Sequence, residues 1–177
     1  MLIGMLGNPG SGKTYIAQKI CEYSKSQGND SPIFVHLNSD FFRHTLFEDA
    51  QHSLDENIVI FQAMNVATEA LLEQGMSVIF DANSNKLIHR MGFYELAKKH
   101  NAEYLTLYVK DNISNSLERN ERRKDNTSKH FNYAPEHAVH HLSKEQELPT
   151  EDWEETVVID RTQEREVDIE KIFRMIM

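Results

Sequence analysis

The chain has 177 residues, 40% of them hydrophobic and 27% charged, with a formal charge of −9 at pH 7. Those proportions belong to a globular chain and exclude a disordered, collagen-like or membrane-embedded one. The length suits one domain with a single core, spanning residues 1–177. Nineteen Lys plus Arg stand against 28 Asp plus Glu, so no global positive field draws the protein to nucleic acid or to an anionic membrane. A polyanion has to be held by local patches.

Cys21 is the single cysteine, which excludes an intrachain disulfide and gives no sign of an oxidising compartment. Met1 to Leu6 run straight into a glycine-rich loop without the basic segment of a signal peptide. No apolar stretch approaches the roughly 18 residues of a spanning helix. The expectation is a cytoplasmic protein with no membrane partner.

Short apolar runs alternate with helical patterns from end to end, which predicts an α/β fold around a buried parallel sheet. Five strands are expected, at Leu2 to Leu6, Ile33 to Leu37, Met76 to Phe80, Tyr104 to Val109 and Thr156 to Ile159. Helices are expected over Lys13 to Lys25, with Ile16, Ala17, Ile20 and Cys21 inward, and over Asn57 to Glu73, closed by Gly75. The second should bury Ile58, Phe61, Met64, Ala67, Leu71 and Leu72. Further helices fit Lys86 to His100, Ile113 to Lys124, Pro135 to Gln146 and Val167 to Met177. The polar stretch Asp125 to Ala134 and the helix after it suggest a mobile helical lid over about residues 119–147. Glu145 to Glu155, with six acids, reads as a solvated connector.

Gly7-Asn8-Pro9-Gly10-Ser11-Gly12-Lys13-Thr14 matches G-x-x-x-x-G-K-[ST] and lies between a strand and a helix, where a phosphate loop works. Its glycines let main-chain amides close on phosphate oxygens, and the following helix start adds positive potential. Lys13 is placed to meet the β and γ phosphates, and the Thr14 hydroxyl to ligate Mg²⁺. The fold expected is therefore that of P-loop NTPases, with a five-stranded parallel sheet sandwiched by helices.

After the second strand, Asp40 is a candidate general base and Arg43, three residues on, a candidate acceptor-binding cation. Helix capping is the alternative role for Ser39 or Asp40. After the third strand, Asp81 is the candidate for orienting the metal and Asn83 for touching the acceptor. Arg119 and Arg123, spaced i, i+4, are candidates to close on transferring phosphate. His130, His137, His140 and His141 lack the companions of a zinc site and read as a solvated helix. Cys21 reads as inert core.

In this order the phosphate loop, Asp40-x-x-Arg43, Asp81-Ala82-Asn83, Arg119-Asn120-x-x-Arg123 and Pro135 resemble the phage-type 5′-OH polynucleotide kinases over nearly the whole chain. The resemblance implies that Asp40 is the base on a 5′-hydroxyl, that Arg43 holds a 3′ phosphate, and that Arg123 clamps the donor phosphates. Zeta-toxin-like, chloramphenicol phosphotransferase-like and seryl-tRNA kinase-like enzymes share the wider superfamily. The expectation is an ATP- and Mg²⁺-dependent transfer of phosphoryl to the 5′-hydroxyl of a polynucleotide end. A small-molecule kinase of the same fold and an NTP-binding regulatory module are the alternatives. ATP is preferred to GTP because no N-K-x-D motif is present.

Overall fold

The computed structural model describes residues 1–29, 31–124, 133–163 and 166–177. His130 and all but the end of the polar stretch expected before Pro135 lie outside them.

Five parallel strands form one sheet: β1 (Leu2–Leu6), β2 (Phe34–Asn38), β3 (Ser77–Asp81), β4 (Tyr104–Lys110) and β5 (Thr156–Asp160). Their order is β2-β3-β1-β4-β5. The chain leaves β1 towards one edge and later crosses to the other, so a crevice opens at the carboxyl end of β1 beside β3. Every residue of β1 and β3 is buried, as expected of central strands covered on both faces.

Seven helices occupy the described residues: α1 (Lys13–Ser26), α2 (Ser39–Leu46), α3 (Leu54–Glu73), α4 (Leu87–Lys99), α5 (Ile113–Glu121), α6 (Glu136–Lys144) and α7 (Ile169–Ile176). Alternate β residues feed two cores. Ile3 and Met5 join Ile16 and Ile20 of α1 and Ile172 and Ile176 of α7 on one face. Leu2, Val78 and Phe80 join Ile60 and Met64 of α3 and Phe93 of α4 on the other. The fold is the expected α/β sheet sandwiched by helices, with P-loop geometry at its first turn. Among the described residues no helix is long and apolar enough to cross a membrane.

Three expectations change. The third strand runs one residue further than its apolar run, and Asp81 is its last rung, in register with Asn38. Helix α3 starts earlier than expected because Ser53 caps it, its side chain accepting from the Glu56 amide at 3.2 Å. The buried seam of α3 is Glu56, Ile60, Met64, Thr68 and Leu72, spaced four apart, while Ile58 is 48% exposed. Apolar residues surround α3, so periodicity alone does not select its inner face.

The acidic connector is the third change. Glu154 and Arg90 are fully buried and paired, Arg90 Nε donating to Glu154 Oε1 at 2.5 Å. Thr106 donates to the same carboxylate oxygen at 2.7 Å, and Arg90 also donates to the carbonyls of Ser84 and Asn85. The pair thereby anchors the turn after β3. Removing one member of a buried pair strands the other charge, so Glu154→Ala should cost about 3–5 kcal/mol of stability in urea denaturation. A loss below about 1 kcal/mol would show the pair to be dispensable.

Candidate phosphate and acceptor site

The phosphate loop turns on glycine backbone that other residues rarely adopt: φ is +84° at Gly10 and +102° at Gly12. A Cβ at Gly10 would collide with the Ser116 main chain of α5, and one at Gly12 with the Arg161 guanidinium. The loop is thus packed from behind as tightly as it is opened in front. Helix α1 begins with no capping side chain and no acid in its first turn. Its first amides remain available to an external anion, which is the fit a nucleotide phosphate requires. Lys13 Nζ donates to the carbonyls of Gly7 at 2.8 Å and Asn8 at 3.0 Å.

A cavity of about 990 Å³ opens on this loop. Gly7, Pro9, Gly10, Gly12, Lys13 and Thr14 line it, as do Asp40, Arg43, Asp81, Asn83 and Arg123. Asn8, Ser11 and Arg119 do not. Asn8 donates to Ser143 of α6 at 3.4 Å, Ser11 is fully buried, and Arg119 Nε donates to the Gly10 carbonyl at 2.9 Å while pairing with Asp111. Arg119 and Arg123 therefore part company because α5 ends at Glu121, between them. Burial, with the nearby cations Arg161, Arg123 and Arg122, pulls the Arg119 pKa down to about 10.

Asp81 is 3% exposed. Its Oδ2 accepts from His36 Nε2 at 2.9 Å and from Asn38 Nδ2 at 2.8 Å. Burial opposes ionisation, but His36, Lys13 and Thr14 outweigh it and hold the carboxyl below its ordinary range. A hydroxyl and a carboxylate together on the cavity wall are the hard oxygen donors that suit Mg²⁺. Burial likewise pushes Lys13 down, with Asp81 and Asp40 pulling it up against the repulsion of Arg123. Burial also lowers Arg123, opposed by Asp40 and Asp81. Two cations and two carboxylates thus share one electrostatic cluster.

Asp40 and Ser39 do not cap α2. Asn38 does, its Oδ1 accepting from the Phe41 amide at 2.8 Å. The same carboxamide therefore caps α2 and holds Asp81. Arg43 is buried and engaged: Nη1 donates to Glu56 at 2.9 Å and Nη2 to Asn57 at 2.5 Å. Asn83 is exposed on the cavity rim, its Oδ1 accepting from the Asn85 amide at 3.3 Å.

Sequence reasoning passed over His36, Asn38, Glu56 and Arg161. Arg161 Nη1 reaches the Ser11 carbonyl at 3.2 Å across 150 residues, and no local pattern signals such a contact. The Ser53-x-x-Glu56 capping pattern was available as a signal for α3, though not for the pairing of Glu56 with Arg43. His137, His140 and His141 are exposed on α6, and burial raises the Cys21 thiol to about 11.

No curated protein matches the sequence. Among solved structures, Chaetomium thermophilum Kti12 in complex with ADP-AlF3 is similar at 18% identity and a TM-score of 0.75, over 99% of this chain and 97% of that one. The Mycobacterium tuberculosis APS kinase CysC, in complex with AMPPNP and APS, is similar at 14% identity and a TM-score of 0.64, over 99% and 94%. The Pnkp1/Rnl/Hen1 RNA repair complex contains a chain similar at 21% identity and a TM-score of 0.63, over 81% of this chain and 43% of that one. These are likenesses of fold. Residues 2–149 match the family described as an AAA domain. With the sheet order, the phosphate loop and that match in agreement, the chain belongs to this AAA domain family.

Proposed function

We propose that the protein is an ATP-dependent phosphotransferase that moves the γ-phosphoryl group to the hydroxyl of a small acceptor held beside Asp40. The observation that carries this reading is the shared cavity, in which the phosphate loop and Asp40 face one space with Lys13, Asp81 and Arg123. A switch module needs no such carboxylate. Bound ATP and Mg²⁺ supply an electrophilic phosphorus with part of its charge already offset.

The chain's own residues do the rest. Asp40, in the first turn of the helix that Asn38 caps, accepts the acceptor's proton on a carboxylate oxygen as the new O–P bond forms. The loop amides and Lys13 hold the phosphates, while Arg123 offsets the charge that grows as the β,γ bridge bond breaks. Thr14 would hold Mg²⁺ through its hydroxyl, and Asp81 would orient the ion and its waters. The segment about residues 119–147 would act as a lid, carrying Arg123 over the phosphates. We take residues 1–177 as one catalytic domain.

A polynucleotide 5′-hydroxyl end is the second reading, favoured because Asp40 and Arg43 line the same cavity in the spacing of the 5′-OH polynucleotide kinases. The neutralisation of Arg43 by Glu56, and the acidic chain as a whole, weigh towards a small acceptor.

Three outcomes test the reading. Asp40→Asn should lower kcat by about 10²–10⁴-fold with ATP affinity, measured by calorimetry, changed by less than about twofold. Unchanged turnover in that variant would remove the base. Lys13→Ala should cost at least about a hundredfold in transfer. Chelation of divalent metal should abolish labelled phosphoryl transfer from [γ-³²P]ATP, and added Mg²⁺ should restore it. Assayed on 5′-OH oligonucleotides, sugars and other alcohols, label confined to oligonucleotides would select the second reading.

A further inference from the structure

The cavity has two ends of opposite character. The phosphate end carries Lys13, Thr14, Asp81 and Arg123, whereas Leu54, Ile58 and Phe61 of α3 form an apolar far end, and Ala138 and Leu142 of α6 add apolar wall. Leu54 is 74% exposed and Ile58 48%, so this apolar surface stays in contact with solvent instead of joining the core. Apolar surface lining a concave site gains free energy when an apolar ligand group displaces that water.

The charge at the far end points the same way. Arg43 is the cation nearest in sequence to Asp40, but Glu56 neutralises it at 2.9 Å. Glu56 is held ionised by the Gln51 amide, at 2.7 Å, and by Arg43. A second anion brought to Arg43 would meet the Glu56 carboxylate as a repelling neighbour. Burial and Arg43 hold His52, also on the wall, below its ordinary pKa and so uncharged near neutrality. The volume, about 990 Å³ shared with the phosphates, holds a compact molecule.

We propose that the acceptor is a neutral alcohol bearing a compact apolar group, which packs on Leu54, Ile58 and Phe61 while its hydroxyl faces Asp40. The proposal rests on the phosphotransferase reading for the role of the hydroxyl and on the far-end surface for the class of compound. Sugar phosphates and other anionic acceptors are disfavoured by the Arg43–Glu56 pair.

The test separates the two. With a non-hydrolysable ATP analogue bound, saturation-transfer NMR measures binding of benzyl alcohol and cyclohexylmethanol against glycerol and glucose 6-phosphate. Transfer from [γ-³²P]ATP is assayed on the same compounds. The apolar alcohols should bind at least about tenfold more tightly than the polyol and the sugar phosphate, a difference of the size one buried apolar group supplies. Ile58→Ser and Leu54→Ser, at exposed helix positions outside the core, should each weaken the apolar probes by about fivefold and leave the glycerol signal unchanged. Preference for glucose 6-phosphate, no apolar binding up to about 10 mM, or apolar binding indifferent to both substitutions would overturn the proposal. Apolar binding that responds to the substitutions, without transfer to any alcohol, would uphold the subsite and refute the small-acceptor phosphotransferase reading instead.

Discussion

One side chain, Asn38, couples the two halves of the site. Its carbonyl oxygen caps α2, the helix whose first turn holds Asp40, and its amide nitrogen bonds Asp81 at the tip of the neighbouring strand. A buried carboxamide can satisfy both groups only if β2 and β3 are in the observed register, with Asn38 opposite Asp81. Sheet pairing thereby sets the position of the candidate base relative to the carboxylate beside the phosphate loop. A slip of β2 by one residue would turn Asn38 to the opposite face, away from Asp81.

Around that link the charges are arranged locally and against the chain's overall sign. Lys13 and Arg123 gather with Asp40 and Asp81 inside a protein of formal charge −9. Burial works against the charges of Lys13, Asp81 and Arg123, and attraction between the opposite charges acts against it. An anion entering such a place finds donors already oriented, and little reorganisation is left to be done at the moment of transfer. The acceptor end differs in kind, its Arg43 neutralised within the protein and its walls apolar.

Two supports reach this site from far along the chain. Arg161 bonds the Ser11 carbonyl from the segment after β5. Glu154, in a stretch whose composition reads as solvated, is fully buried against Arg90 and steadies the turn that leads from Asp81 to Asn83 and Asn85. A charged residue is excluded from the interior only when it goes unpaired, so composition gave the wrong environment for Glu154.

The amino-acid sequence alone determined the α/β class, the five strands to within a residue or so, and the phosphate loop with its lysine and threonine. Those features are local: each follows from residue period, backbone freedom at glycine, or a fixed spacing within one turn. That Asp40, Arg43, Asp81 and Asn83 share one cavity was legible for a related reason, since a parallel sheet brings the carboxyl ends of its strands to one crevice, whereas Arg123 joins them from beyond α5. Tertiary structure decided the rest: that Asn38 and not Asp40 caps α2, that Arg119 grips the back of the loop, that Glu56 cancels Arg43, and that Ile58 faces the cavity. Each depends on a partner distant in the chain or on which side of a helix packs, and α3, apolar all round, carries no periodicity that could announce the choice.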